Sequence, residues 1–298
     1  MRRSTSWWAI WPPPQGSWTE PLSVLIQSRS AAGKSTLQDA IISLIPDEEY
    51  IKYTRVTDQA LFYKEEDSLV HKILAIEEAE GMGGAAYSIR TIQSAKKITV
   101  AATGKDATGR MKTEEYTVNG PVCVMITTTA TEIDQETASR FIFLTIDESA
   151  AMTGAIHQRQ REAETLAGLI REKKQHTVTR KHHAVQRMLM PLAVVNPYAE
   201  YLSYPSHSLQ ARRDHKKYLG SSGRWLSCTS ISGRYRPWRW TARWLKYIEV
   251  TLTDIETANR LANVVLGQSM DELVKPSRPC YRRSTKWCRN RRSRTTPP

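Results

Sequence analysis

The 298-residue chain predicts an α/β fold, a largely parallel sheet flanked by helices, with an inserted β-hairpin and a small helical lid behind it. Three observations carry that prediction. From 22 to 146, short apolar runs alternate with helical patterns, as parallel strands joined by crossover helices do. The first run, LSVLIQ, leads through a small-residue loop into Gly33-Lys34-Ser35 and a helical stretch. A later run, HKILAIEE, ends in two adjacent carboxylates.

Taken in order, Leu22, Val24, Leu25 and Ile26 define a strand over 22–27. The loop Ser28–Gly33 follows, then a helix over 33–45 that Pro46 ends. Strand, loop, Gly-Lys-Ser and helix is the layout of a P-loop. Backbone N–H groups at the helix N-terminus face a phosphate, Lys34 reaches the β/γ-phosphates, and the Ser35 hydroxyl ligates Mg2+. Ser28, Ser30, Ala31, Ala32, Gly33, Lys34, Ser35 and Thr36 are the candidate nucleotide contacts. Ser28 stands where the pattern has its first glycine, so the first bend is made without glycine's freedom at φ > 0. The plainer alternative is a turn that simply starts a helix. Next come a short strand at 50–54, a helix over 57–66, a strand at 72–77 and a helix over 84–94. Strands 97–103 and 113–118 are joined by GKDATG. Strands 121–127 and 141–146 close the series, with a turn and short helix between them.

Each strand end offers a chemical group. In P-loop ATPases the acidic strand lies beside the P-loop strand; its first acid, here Glu77, positions Mg2+, and its second, Glu78, polarises the attacking water. An exposed acidic strand end is the bland alternative. VCVMITTTATEID (122–134) ends in hydroxyls, and Thr128, among Thr127 to Thr129, is the candidate polar sensor near the γ-phosphate. Threonine is also ordinary strand filler. Arg140 sits at a helix end before the last strand, where a guanidinium can serve a neighbouring subunit's site or simply complement a helix dipole. Lys105, Arg110 and Lys112 tip the hairpin and suit a phosphate backbone, although Asp106, Glu114 and Glu115 partly offset them.

Beyond 150 the texture turns helical and charged. AIHQRQREAETLAGLIREKK places Ile156, Ala163, Leu166 and Ile170 near one face of a helix. QARRDHKKYL begins another helix. In TDIETANRLANVVLG, Thr253 and Glu256 predict a capping box, Ile255, Ala258, Ala262 and Val265 a buried face, and Gly267 the C′ position.

The net charge of +13 is unevenly placed. Residues 20–218 hold 25 Lys+Arg against 25 Asp+Glu, so the excess lies at the ends. All nine Trp also lie outside 20–218, as do Cys228, Cys280 and Cys288. The aromatic-basic stretches at 1–19, about 219–244 and about 274–298 lack any period of 2 or 3.6. They read either as nucleic-acid arms or as the product of a shifted reading frame in a GC-rich gene, and the second reading is favoured. The four cysteines support neither a disulfide framework nor a zinc site, and Cys123 in VCVMI reads as a buried small hydrophobe. No secretory signal or membrane span is visible, so a cytoplasmic protein is expected.

These motifs, in this order, resemble an AAA+ ATPase of the helicase clade that carries a hairpin before its sensor strand. The layout is similar to minichromosome maintenance helicases, including Ser139-Arg140-Phe141 at the finger. QSRSAAGKSTLQDAI, KYTRVTDQALFYKEEDSLVHKILAIEEAEG, SIRTIQSAKKITVAATGKDATGR and VVNPYAE look like the ATPase region of primase-associated, helicase-like proteins of bacterial mobile elements and phages. The resemblance covers about 20–218 and 245–273. It implies ATP, Mg2+, a homo-oligomeric ring, DNA as the track and a primase as a partner. It also implies a lid whose helix carries a nucleotide-sensing arginine, Arg213, and a winged-helix-like tail that this sequence lacks beyond 273. The expected organisation is an aberrant segment at 1–19, an ATPase core at 20–150, a helical lid at 151–218, a second aberrant segment at 219–244, a helical remnant at 245–273 and a basic tail at 274–298. A DNA-dependent motor leads the functional readings. A nucleotide-binding remnant without motor activity follows. A kinase or GTPase ranks last, because no Asn-Lys-x-Asp guanine reader occurs and a kinase has no use for the paired glutamates, the hairpin or the finger.

Overall fold

The computed structural model describes residues 21–57, 59–78, 85–105, 111–189, 192–204, 211–224, 236–240 and 243–265. A five-stranded sheet organises the first half. Its strands are β1 (Ser23–Gln27), β2 (Tyr50–Tyr53), β3 (Ile73–Ile76), β6 (Cys123–Thr128) and β7 (Phe141–Leu144), all parallel, in the spatial order β2-β3-β6-β1-β7. Parallel strands covered on both faces read as continuous apolar runs, which is why SVLIQ, ILAI and CVMITT show no alternation. Successive residues still point to opposite faces. Val24, Ile26, Met125 and Ile142 pack toward α1 (Lys34–Ile42) with Ile41 and Ile45. Leu25, Leu74, Ile76, Val124 and Ile126 pack toward α2 (Ala85–Ala95) with Ala85, Ile89 and Ile92.

One expectation about topology is corrected. The acidic strand β3 is not beside the P-loop strand β1; the Thr-tipped strand β6 lies between them and pairs with both. The hairpin, β4 (Lys97–Lys105) and β5 (Met111–Asn119), is longer than its sequence pattern suggested and forms a two-stranded sheet of its own. Ile98 and Val118 root it in the core, while its outer half is exposed. The helix expected over 57–66 is instead a series of turns: the amides of Ala60, Phe62, Ser68 and Val70 each bond a carbonyl three residues back. Leu61 and Leu69 are buried, and Asn119 holds Glu66 and Asp67, so tertiary anchoring outweighs local helix propensity here.

The continuous helix expected after 150 is two helices, α4 (Ala150–Ala163) and α5 (Leu166–Arg187). Ser149 and Thr165 cap them, each hydroxyl accepting an amide N–H of its first turn. Ile156, Ala163, Leu166 and Ile170 do not form a buried face; all are exposed. α5 touches the core at its far end. There the rings of His182 and His183 and the amide of Gln186 meet the carbonyls of Leu44 and Ser43, and Arg187 pairs with Glu48 at 2.5 Å. Those carbonyls belong to the C-terminal end of α1, where helix geometry leaves acceptors unfilled.

Behind the arm, β8 (Ala193–Val195), β9 (Arg236–Trp240) and β10 (Arg243–Glu249) form a small sheet, and α6 (Ala211–Arg224) packs on α7 (Leu252–Val265). Thus part of 219–244, expected to be irregular, continues α6 and forms β9. The α7 cap is Thr251 with Asp254, two residues ahead of the expected box. Ile255 and Ala258 are buried as expected. Residues 1–20 and 266–298, including Gly267, lie outside the described residues. Cys123 is buried, its Sγ–H donating to the Leu22 carbonyl. No helix among the described residues is long and apolar enough to cross a membrane.

Candidate functional site

The site is built at the C-terminal edge of the sheet, where β1 gives way to the loop and α1. Gly33 caps α1 in the left-handed region at φ 91°, and Ala31 joins it at φ 61°. The bend that lacks a glycine at Ser28 is therefore made three residues later, at Ala31. Ser28 is a tie instead: its amide donates to the Thr128 carbonyl at 3.3 Å, and its hydroxyl accepts the Ile146 amide at 2.9 Å. This pins the loop start to the ends of the two flanking strands. No side chain caps α1, so its first N–H groups stay open to an anion. A Cβ added at Gly33 would meet nothing, so the cradle is open there. Ser30, Ala31, Ser35 and Thr36 are exposed, and Ala32 is half-buried.

Lys34 folds back over this cradle. Its Nζ donates to the carbonyls of Ser28 at 3.0 Å and Arg29 at 2.7 Å. These two carbonyls occupy donors of the ammonium that a phosphate would otherwise take. The donor set fits a nucleotide phosphate: open helix amides, one compact cation and a hydroxyl at Ser35.

Register places the acids. Gln27 pairs with Thr128, and Ile76 with Ile126, so Glu77 is level with Thr127 and Glu78 with Thr128. The Thr127 hydroxyl donates to the Glu77 carbonyl, which confirms the first of these levels. Two strand spacings, about 10 Å, separate β1 from β3. Lys34 and the two glutamates therefore share one edge, with Thr128 between them.

The side chains at that edge differ in state. Glu77 is engaged: its Oε1 lies 2.5 Å from the Lys52 Nζ, which also holds Asp39 of α1 at 2.6 Å. The Asp39 and Glu77 carboxylates push the Lys52 pKa up, so this cation stays charged. Glu78 is exposed and has no ion pair among the described residues. Thr128 is buried and its Oγ1 accepts the Ala130 amide at 3.1 Å, which leaves its own proton free to donate.

Two residues here escaped the sequence reading. Lys52, an ordinary strand lysine by pattern, bridges α1 to β3. Gln38 is fully buried, and its Nε2 donates to the carbonyls of Ile76 at 3.2 Å and Met125 at 3.1 Å. It staples α1 to β3 and β6 and so fixes the span from loop to acids. A signal existed: Gln38 occupies the i position of the stripe completed by Ile41, Ile42 and Ile45.

Both arginines lie elsewhere. β7 begins level with Ser23, so Arg140 is about 17 Å of strand from its own P-loop. Its guanidinium is occupied by Glu136 and by the Ser94 hydroxyl at 3.1 Å. Arg213 bonds Ser139 in the same neighbourhood. α6 is fixed there by the buried Lys217, which donates to the Phe141 carbonyl and to Asp214. Arg213 is thus not placed at its own chain's nucleotide loop, because its helix docks at the opposite end of the sheet. On the hairpin, Lys112 pairs with Glu114 at 3.1 Å. Arg110 and the side chain of Lys105 lie outside the described residues.

A search of curated proteins finds no match. The model of the MTBMA_p00010 P-loop domain matches residues 15–190, more than half of the chain. That span contains the loop, the paired glutamates, Thr128 and the arm anchored to α1, and its P-loop label agrees with the cradle at Gly33. The chain therefore belongs to the MTBMA_p00010 P-loop domain family, a P-loop NTPase fold suited to binding nucleotide.

Proposed function

We propose that the chain binds ATP with Mg2+ at residues 28–36 and hydrolyses it as a DNA-dependent motor. The observation that supports this most is the paired row Gln27 and Thr128, with Glu78 level with it just past the end of β3, directly ahead of the loop. When bound, Mg2+ supplies charge neutralisation at the phosphates. With nucleotide bound, Lys34 would exchange the Ser28 and Arg29 carbonyls for phosphate oxygens, and Ser35 and Glu77 would hold the metal. Glu78, exposed and without an ion pair among the described residues, orients the attacking water, and the Thr128 hydroxyl donates toward the transferred group. Arg140, at the far end of its own sheet, serves the site of another copy in a ring, a contribution typically worth about 10³–10⁵ in rate. The hairpin meets DNA, and a primase is the partner that the resemblance suggests.

Turnover measured with and without single-stranded DNA, alongside a sizing measurement, tests the reading. Lys34→Ala should abolish turnover, and Glu78→Gln should bind ATP without hydrolysing it. Unchanged turnover in either variant overturns the assignment. A second reading, nucleotide binding without turnover, is favoured by the pairing of Glu77 with Lys52 and of Arg140 with Glu136. Retained ATP binding with no DNA-stimulated hydrolysis would select it.

A further inference from the structure

We infer that the outward face of α5 is a docking surface for the phosphate backbone of nucleic acid, separate from the hairpin. Residues 166–187 carry six Lys+Arg and a single acid, Glu172, within a stretch (20–218) whose charges sum to zero as a whole. The two cations toward the ends are neutralised, Arg171 by Glu162 and Arg187 by Glu48. The four between them, Lys173, Lys174, Arg180 and Lys181, are exposed and have no ion pair among the described residues.

Helical spacing gathers these four. Lys173 and Arg180 are seven residues apart on one stripe, and Lys174 and Lys181 repeat that spacing beside it, about 10 Å along the axis. The less exposed residues Gly168, Thr179, His182, His183 and Gln186 occupy the opposite face, and the last three of them grip the end of α1. The cations therefore point away from the body on a helix whose far end is fixed. Two pairs of cations about 10 Å apart along the helix, with no ion pair among the described residues, match a repeating polyanion. A membrane surface fits less well. An interfacial helix segregates a continuous apolar face, whereas 171–177 contains no apolar residue at all.

The surface is tested by fluorescence anisotropy of the full chain with a mixed-sequence DNA duplex, without nucleotide, so the result is independent of the ATPase reading. Releasing counterions at four contacts gives a slope of about −3.6 in log K against log salt. Substituting all four cations by Gln should therefore weaken binding roughly 100-fold at moderate salt and flatten the slope by three to four. Lys112→Gln should leave that four-unit contribution in place. On the unaltered chain, amine modification at Lys173, Lys174 and Lys181 should fall when duplex is added. Unchanged affinity and slope in the fourfold variant overturn the proposal, as does unaltered amine reactivity. Binding of the parent chain to anionic phosphatidylserine vesicles through these cations, with none to DNA, would likewise overturn it.

Discussion

The parallel sheet and the charged α4–α5 arm both carry large aliphatic side chains, and they treat them in opposite ways. Ile73, Leu74, Ile76, Val124 and Ile126 are 0% exposed, whereas Leu166 is 74% and Val178 61% exposed. A strand in this sheet has neighbours on both sides and helices on both faces, so its apolar run is buried wherever it points. A helix buries a stripe only if something lies against it. The arm meets the body through polar contacts to α1 near its far end, and among the described residues its aliphatic side chains stay exposed.

The largest expected contrast comes from deleting the same atoms in each region. Ile76→Ala should destabilise the fold by about 2–5 kcal/mol, read from urea denaturation, because the cavity it leaves is walled by β3, β6 and α2. A loss under 1 kcal/mol would mean that the sheet core is looser than its burial indicates. Next is Lys52→Met, at the junction of sheet and loop. It frees Glu77 and Asp39 from a shared cation, so half-saturation of nucleotide binding should need several-fold less Mg2+. An unchanged Mg2+ requirement would detach Glu77 from the metal.

Acidification should separate the regions more gently. Burial pushes the His182 pKa below its ordinary value, so the folded state prefers the neutral ring. Stability from this group is present above about pH 6.5 and is lost as pH falls through the depressed folded value. Arg187 holds the Glu48 carboxyl down at about 2, so that exposed pair persists until far stronger acid and contributes little under screening. Amide hydrogen exchange, corrected for intrinsic rate, should quicken in α5 between pH 7 and pH 5 while β1 and β6 hold. Equal acceleration in both would show the arm and core opening as one unit. The smallest effect is expected at Ile156→Ala on exposed α4, within about 0.5 kcal/mol.

The comparison also marks what could be read beforehand. The core strands, α1, α2 and the hairpin were legible because each carries a run or period that only one element satisfies. The P-loop was legible because Gly-Lys-Ser came with both flanking elements. Burial in the arm was not legible: Ile156, Leu166 and Ile170 share a spacing that says where they point, and nothing about what they meet. The turns at 59–71 were hidden because Leu61 and Leu69 override a helix-compatible stretch from a distance. The place of β3 was hidden because strand order is set by crossover packing, which leaves no mark in the run itself. Lys52 and Arg213 were obscure for one reason, that their partners are distant in sequence.

Gly168 has a consequence for the arm as a whole. A Cβ there would lie 2.4 Å from the carbonyl oxygens of Glu162 and Ala163, closer than atoms can approach. The elbow between the two helices is thus shut by the absence of one carbon. Any larger side chain would force it ajar and swing the basic lever to a new bearing, so the angle at which this protein reaches outward is written in its smallest residue.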